Sequence, residues 1–150
     1  MNRIYLDDQR TPLEEGWIIA RSMKEFSSKV QEIGLGNISR ISLDHDLDKS
    51  AMDEYFNNVY KNYTIDYSKI IEPTGLDCAK WIVRYFYKEN PKRTKMSRLE
   101  KKSYPIKFPE VVVHSHNPIG AANIMGYINN FLKNEGQEED CVRIKIAFKD

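Results

Sequence analysis

The chain is built of short apolar runs that each break off into polar residues, with helical stretches between them. Arg3 to Leu6 sets Ile4 and Leu6 around Tyr5 and stops at Asp7-Asp8, which predicts a strand with a charged end. The segment from Gln9 to Gly16 is short and contains Pro12, and predicts a loop. Trp17 to Ala20 is a second strand. Ser22 with Glu25 three residues on is a helix-start signature, and Met23, Phe26, Val30 and Ile33 share one helical face until Gly34 and Gly36 close it. Asn37 to Leu43 is a third strand, rich in β-branched residues, and it runs into Asp44-His45-Asp46.

Residues 48 to 73 leave this compact pattern. Met52, Tyr55, Phe56, Val59, Tyr60 and Tyr63 recur at helical spacing there and predict an amphipathic helix whose stripe is expected to pack rather than to stack on bases. Thr74 opens the next helix, with Leu76, Ala79, Ile82, Val83 and Phe86 as its buried face and Pro91 beyond its end. Val111 to Val113 is a continuous β-branched run, as in a strand buried on both faces, and it ends in His114-Ser115-His116-Asn117. Asn117 followed by Pro118 predicts a capped helix to about Leu132 that opens with the small residues Gly120, Ala121 and Ala122. Val142, Ile144, Ile146 and Phe148 alternate with Arg143, Lys145 and Ala147, predicting an edge strand over 142–148.

Strands separated by helices imply an α/β domain with a mostly parallel sheet, whose ligands bind at the carboxyl ends of the strands. Three polar clusters, at Asp7, at Asp44 and at His114, each follow a strand directly and should meet at one sheet edge. All three histidines of the chain fall in two of them. The 150 residues fit one domain, with insertions at about 48–73 and 91–109.

Composition narrows the setting. With 41% hydrophobic and 30% charged residues, the chain is ordinary for a globular protein, and no apolar run approaches the roughly 20 residues needed to cross a bilayer. The opening residues lead into a strand rather than a signal peptide, so the expected location is cytoplasmic. Cys78 and Cys141 stand alone, without metal-ligand spacing, and are expected as free thiols. Residues 91 to 108 carry seven cations against Glu100 alone, a local +6 that leaves −5 for the rest at an overall +1. That stretch is either a solvated loop or a surface for nucleic acid.

Asp7, Asp8 and Asp44 offer the hard oxygen donors that Mg²⁺ or Mn²⁺ takes, and unneutralised they would repel one another. The bland alternative has Asp8 or Asp46 capping a loop with Arg10 as ion-pair partner. His45, His114 or His116 could move a proton near neutral pH, and Asp46 stands beside them. Alternation along an extended strand end would turn His114 and His116 one way and Ser115 the other, and would oppose His45 to Asp44 and Asp46. His114, next to the apolar run, is the best candidate for a buried, hydrogen-bonded histidine. Arg10 could clamp a phosphate, and the helix opening from Asn117 to Gly120 could receive one on its amides.

Taken together, Leu6-Asp7-Asp8-Gln9-Arg10-Thr11-Pro12, Ser42-Leu43-Asp44-His45-Asp46-Leu47, Thr74-Gly75-Leu76-Asp77 and His114-Ser115-His116-Asn117-Pro118-Ile119-Gly120 resemble the cyclic-phosphate processing receiver domains, a divergent group of the response-regulator receivers. The resemblance implies a three-layer flavodoxin-like or receiver-like fold, a five-stranded sheet of order 2-1-3-4-5, a divalent metal in the acidic pocket and hydrolysis of cyclic phosphates. Two departures from ordinary receivers stand out. The first helix is missing between Asp8 and Gly16, and no lysine is clearly placed at the end of strand five, Lys145 and Lys149 being the nearest.

The expectation is therefore a metal-dependent phosphoesterase acting on a cyclic phosphate, on an RNA end or a small nucleotide. Asp7, Asp8 and Asp44 would hold the metal, Arg10, Ser115, Asn117 and Gly120 the substrate, and His45, His114, His116 and Asp46 would serve catalysis. The alternatives are a receiver-like signalling or binding module without turnover, with Asp44 as the residue a phosphoryl group would modify, and a nucleic-acid-associated protein working through its basic insertion.

Overall fold

Ile4, Leu6, Ile41, Leu43, Val111 and Val113 stand side by side across neighbouring strands and point to the same side, which decides where the helices go. A computed structural model describes all 150 residues. Its strands are β1 (Asn2–Leu6), β2 (Trp17–Ala20), β3 (Ile38–Leu43), β4 (Glu110–Val113) and β5 (Val142–Arg143), all parallel, in the order β2-β1-β3-β4-β5. The expected order is the observed one. Between them run α1 (Met23–Ile33), α2 (Lys49–Glu54), α3 (Tyr60–Asn62), α4 (Gly75–Glu89), α5 (Arg98–Ser103) and α6 (Pro118–Asn134).

The connections β2 to β3, β3 to β4 and β4 to β5 all travel in one direction across the sheet. Right-handed crossovers then put α1, α4 and α6 on one face, where α1 packs on α4 and α4 on α6. The apolar core lies between them and the inward residues of the strands, with Phe26, Ile82, Phe86, Ile124 and Ile128 fully buried. Only β1 to β2 travels the other way, and that connection, as the sequence predicts, has no helix.

The second face is still covered, but by irregular chain. β5 is far shorter than the strand expected over 142–148: after Ile144 donates its N–H to the Val113 carbonyl at 2.8 Å, the chain leaves the sheet edge. It crosses the face to the loop after β1, where the Leu13 N–H donates to the Ala147 carbonyl at 2.8 Å and the Lys149 N–H to the Thr11 carbonyl at 2.9 Å. The alternation of Ile144, Ile146 and Phe148, all half-buried, thus serves the face of the sheet and not a ladder. Phe148 packs by edge contacts on Tyr5 and His114.

The insertions lie at opposite edges. The first leaves the end of β3 and enters the start of α4, at the edge where the strands finish. The second leaves the end of α4 and enters the start of β4, at the edge where strands begin. It is held there by Glu135, fully buried after α6, which accepts from Arg93 Nε, Lys101 Nζ and the Tyr87 hydroxyl at 2.8, 2.8 and 2.9 Å. Two of the seven cations of the basic stretch are therefore structural, and Arg93, expected at the surface, is buried. No helix is long and apolar enough to cross a membrane. Cys78 and Cys141 are buried free thiols, as expected.

Candidate functional site

The loop after β1 turns on Asp7. Its fully buried carboxylate accepts the backbone N–H groups of Gln9 (3.0 Å) and Arg10 (2.8 Å) on Oδ1, and Arg10 Nε (2.9 Å) on Oδ2, where it also meets His114 Nε2 at 3.2 Å. Burial alone would raise this acid; the hydrogen bonds from His114, Arg10 and Gln9 and the Arg10 charge outweigh it and hold it at about 2. Arg10 also reaches Asp44 Oδ2 at 3.3 Å, and its guanidinium lies on the Phe148 ring at 4.3 Å. Arg21, just past β2, locks the loop by donating to the carbonyls of Asp7 (3.1 Å) and Arg10 (2.6 Å) and to the Thr11 hydroxyl (2.8 Å).

After β3 the chain is gripped between two helix starts. Gly75 lies so close that a Cβ there would stand 1.8 Å from the Asp44 carbonyl oxygen, and a Cβ on Gly120 would stand 2.4 Å from the His45 ring. Held this way, Asp44 and Asp46 face a cavity and His45 faces away from it, as alternation predicts. The His45 ring, fully buried, meets Asp46 Oδ1 through Nδ1 (2.6 Å) and the Tyr67 hydroxyl through Nε2 (3.0 Å). Asn123 Nδ2 donates to that hydroxyl at 2.9 Å, so the Tyr67 proton is free for Nε2 and the ring proton sits on Nδ1. Burial, and then the Asp7 charge, push Asp44 up to about 7 despite Arg10 and the His45 amide. Asp8, half-buried, is raised by burial and by Asp7.

After β4 alternation holds through His114 and then fails, because the chain bends at His116. His114 turns to the helix-free face, stacked on Tyr5 with centroids 4.3 Å apart, with Nδ1 2.7 Å from the Ser42 hydroxyl and Nε2 on Asp7. It is the buried, hydrogen-bonded histidine foreseen, and burial lowers its pKa against the pull of Asp7. Ser115 and His116, expected on opposite sides, both reach the cavity. His116 is exposed; its pKa is lowered by partial burial and then by Arg10 and Arg143.

Asn117 and Gly120 do not form a phosphate cradle. The Asn117 side chain accepts the Gly120 N–H at 2.8 Å and donates to Asp46 at 3.2 Å, while the Ala121 N–H goes to the Asn117 carbonyl at 2.8 Å. The Gly120 and Ala121 amides are taken up by the helix's own cap, and Gly120 is needed for the approach to His45.

The cavity, about 260 Å³, gathers Asp7, Asp8, Gln9, Arg10, Asp44, Asp46, Ser115 and His116 with Met52 and Tyr55 of the first insertion. Asp7, Asp44 and His114 each bring one ligand-type atom within 4.8 Å of one another. Both Asp7 oxygens are already in use, however, and His114 gives its Nε2 proton to Asp7. The oxygens left uncommitted belong to Asp8 and Asp46, together with Asp44 Oδ2, whose single contact is Arg10. Asp7 and Asp44 of the expected set thus stand together, and Asp8 and Asp46 add oxygens free of protein partners.

Sequence reasoning overlooked Arg21, Tyr5, Ser42 and Tyr67. Arg21 had a usable signal, since it follows a strand end at the same sheet edge; Tyr67 had none, because its place depends on how the insertion folds back. Comparison with curated proteins and with solved structures finds no match. Residues 2–130, all of the sheet but its last strand, match the family described as cyclic-phosphate processing Receiver domain, and the chain belongs to that family.

Proposed function

We propose that this chain hydrolyses a cyclic phosphate ester, with a divalent metal, opening the ring to a phosphomonoester. The observation that carries the reading is a single cavity that joins the Arg10 guanidinium, an Asp44 near neutrality and the exposed His116 imidazole. Four carboxylates around one cavity repel an entering phosphate, so a cation is needed beside Arg10. Asp8, Asp44 and Asp46 are the residues that would hold Mg²⁺ or Mn²⁺. The ion supplies charge neutralisation for both the carboxylates and the phosphate.

Arg10 lines the cavity with its side chain a quarter exposed, and its guanidinium is the cation that a phosphate oxygen would meet. Water attacks phosphorus as the bond from phosphorus to the ring oxygen breaks. His116, neutral at pH 7 and open to the cavity, takes the water's proton, and the departing alkoxide is reprotonated from solvent. His45 and His114 have both nitrogens committed; they position Asp46 and Asp7.

A signalling module phosphorylated at Asp44 is the weaker reading. β5 ends at Arg143, which donates to the Ser115 carbonyl at 3.0 Å; Lys145 is exposed and Lys149 pairs with Glu15. The deciding experiment follows 2′,3′-cyclic nucleotides and cyclic-ended RNA by phosphorus NMR, with and without Mg²⁺ or Mn²⁺. The cyclic signal should give way to a monoester only with metal, and His116→Ala should slow it by about 10²-fold or more. No turnover, with acetyl phosphate leaving a phosphoryl group on Asp44, overturns the reading.

A further inference from the structure

The first insertion does not pack as its periodicity predicts. Ala51, Glu54 and Val59 are its buried residues, and Glu54 is satisfied by Asn58 Nδ2 and the Asp66 N–H, each at 2.7 Å. Met52, Phe56, Tyr60 and Tyr63, read as a packing stripe, are 37%, 56%, 69% and 72% exposed. The reason lies in the backbone. Between α2 and α3 the chain makes a π-helical turn over Tyr55–Val59, in which the Tyr60 N–H reaches back five residues to the Tyr55 carbonyl. This widened turn shifts the register of the stripe and places Tyr60 beside Tyr55, ring centroids 6.3 Å apart, with Phe56 edge-on to Tyr55 at 5.1 Å. Tyr55 is thereby held by two aromatic edges, and it and Met52 are the two apolar members of the cavity that contains Arg10 and the carboxylates. Such turns recur at functional sites because they re-aim side chains without ending the helix.

We infer that Tyr55 and Met52 form a subsite for a nucleobase, so that the cyclic phosphate this site takes is carried by a nucleoside. The inference rests on the phosphoesterase reading for its other half: phosphate at Arg10, flat aromatic group at Tyr55. The lining joins a cation and an aromatic ring as a nucleotide joins a phosphate and a base, and a tyrosine face accepts any base by stacking. At about 260 Å³ the cavity falls just below the roughly 300 Å³ at which ligand clefts begin, so it has room for one nucleotide at most. The basic second insertion adds nothing to this site, since it lies at the opposite edge of the sheet.

The test compares a nucleoside 2′,3′-cyclic phosphate with base-less ribose 2′,3′-cyclic phosphate in wild type, Tyr55→Ala, Tyr55→Phe and Met52→Ala. The readout is the ratio of kcat/KM between the two substrates. Wild type should prefer the nucleoside by at least about tenfold, Tyr55→Ala should lose that preference through KM, and Tyr55→Phe, which keeps the ring, should restore it. Met52→Ala, at an exposed position, gives the same reading should Tyr55→Ala fold poorly. Turnover of both substrates with a ratio that neither alanine variant changes overturns the subsite and leaves the phosphoesterase standing. If nothing is turned over, that reading fails, and calorimetry with a nucleoside 2′-monophosphate and with inorganic phosphate decides the subsite: tighter nucleotide binding lost in Tyr55→Ala supports it, and equal binding in both proteins overturns it.

Discussion

Arg10 and Asp44 set the chemistry of this site between them, because one guanidinium is asked to serve two buried carboxylates. Asp7 is fully served and held at about 2, whereas Asp44, buried and with Arg10 as its one charged partner at 3.3 Å, rises to about 7. The linkage follows from these directions. Below pH 3.8 Asp44 is protonated folded or unfolded; between 3.8 and about 7 the unfolded chain loses the proton first, so stability falls as pH rises through that window. Asp7 acts the other way, contributing stability above pH 3.8 that is lost as pH falls towards 2. Melting curves of the metal-free protein should therefore drop between pH 4 and 7, and millimolar Mg²⁺ or Mn²⁺, or Asp44→Asn, should flatten the drop; an identical slope with and without metal speaks against a cation at these carboxylates. At this scale the sequence was legible wherever the backbone stays extended: Asp44, His45 and Asp46 alternate as predicted. It failed at Ser115 and His116 because a bend at His116, three residues past β4, undoes alternation, and a bend is decided by what the next helix packs against.

The elements show how closely this site is clamped. Gly75 and Gly120 let α4 and α6 approach the Asp44-His45 segment on both sides. Gly120→Ala would drive a methyl group into the His45 ring and should cost about 1 to 3 kcal/mol in denaturant unfolding, with loss of activity beyond what the stability change explains. At the far edge, Glu135→Ala would leave the Arg93 guanidinium buried without its partner, at a cost of about 3 to 5 kcal/mol, and should expose Lys92 to Lys102 to trypsin. Unchanged stability and proteolysis would show that Glu135 is not what holds the insertion. Helix starts at Ser22, Thr74 and Asn117 were readable because caps are local. Neither the π turn nor the Glu135 pairing was, since both depend on residues brought together by folding.

Across the whole molecule, one sheet edge carries the chemistry and the other the positive charge. The strand order and the convergence of three polar clusters could be read from the chain, because parallel strands must end together. What covers the second face could not: an alternating run such as Val142 to Phe148 reads as a strand whether it lies beside a sheet or across it. Separation of the edges predicts that serine at Lys92, Lys95, Arg98 and Lys102 leaves the turnover of a small cyclic phosphate, and its salt dependence, as in wild type; a steep change would bring that edge into substrate binding. The central claim is ring opening by water at phosphorus, and oxygen-18 water with mass spectrometry of the products tests it most directly. In the presence of Mg²⁺ or Mn²⁺, a nucleoside 2′,3′-cyclic phosphate should yield a monoester with one oxygen-18, carried on its phosphate. Recovery of the cyclic ester unlabelled and unopened would contradict the account.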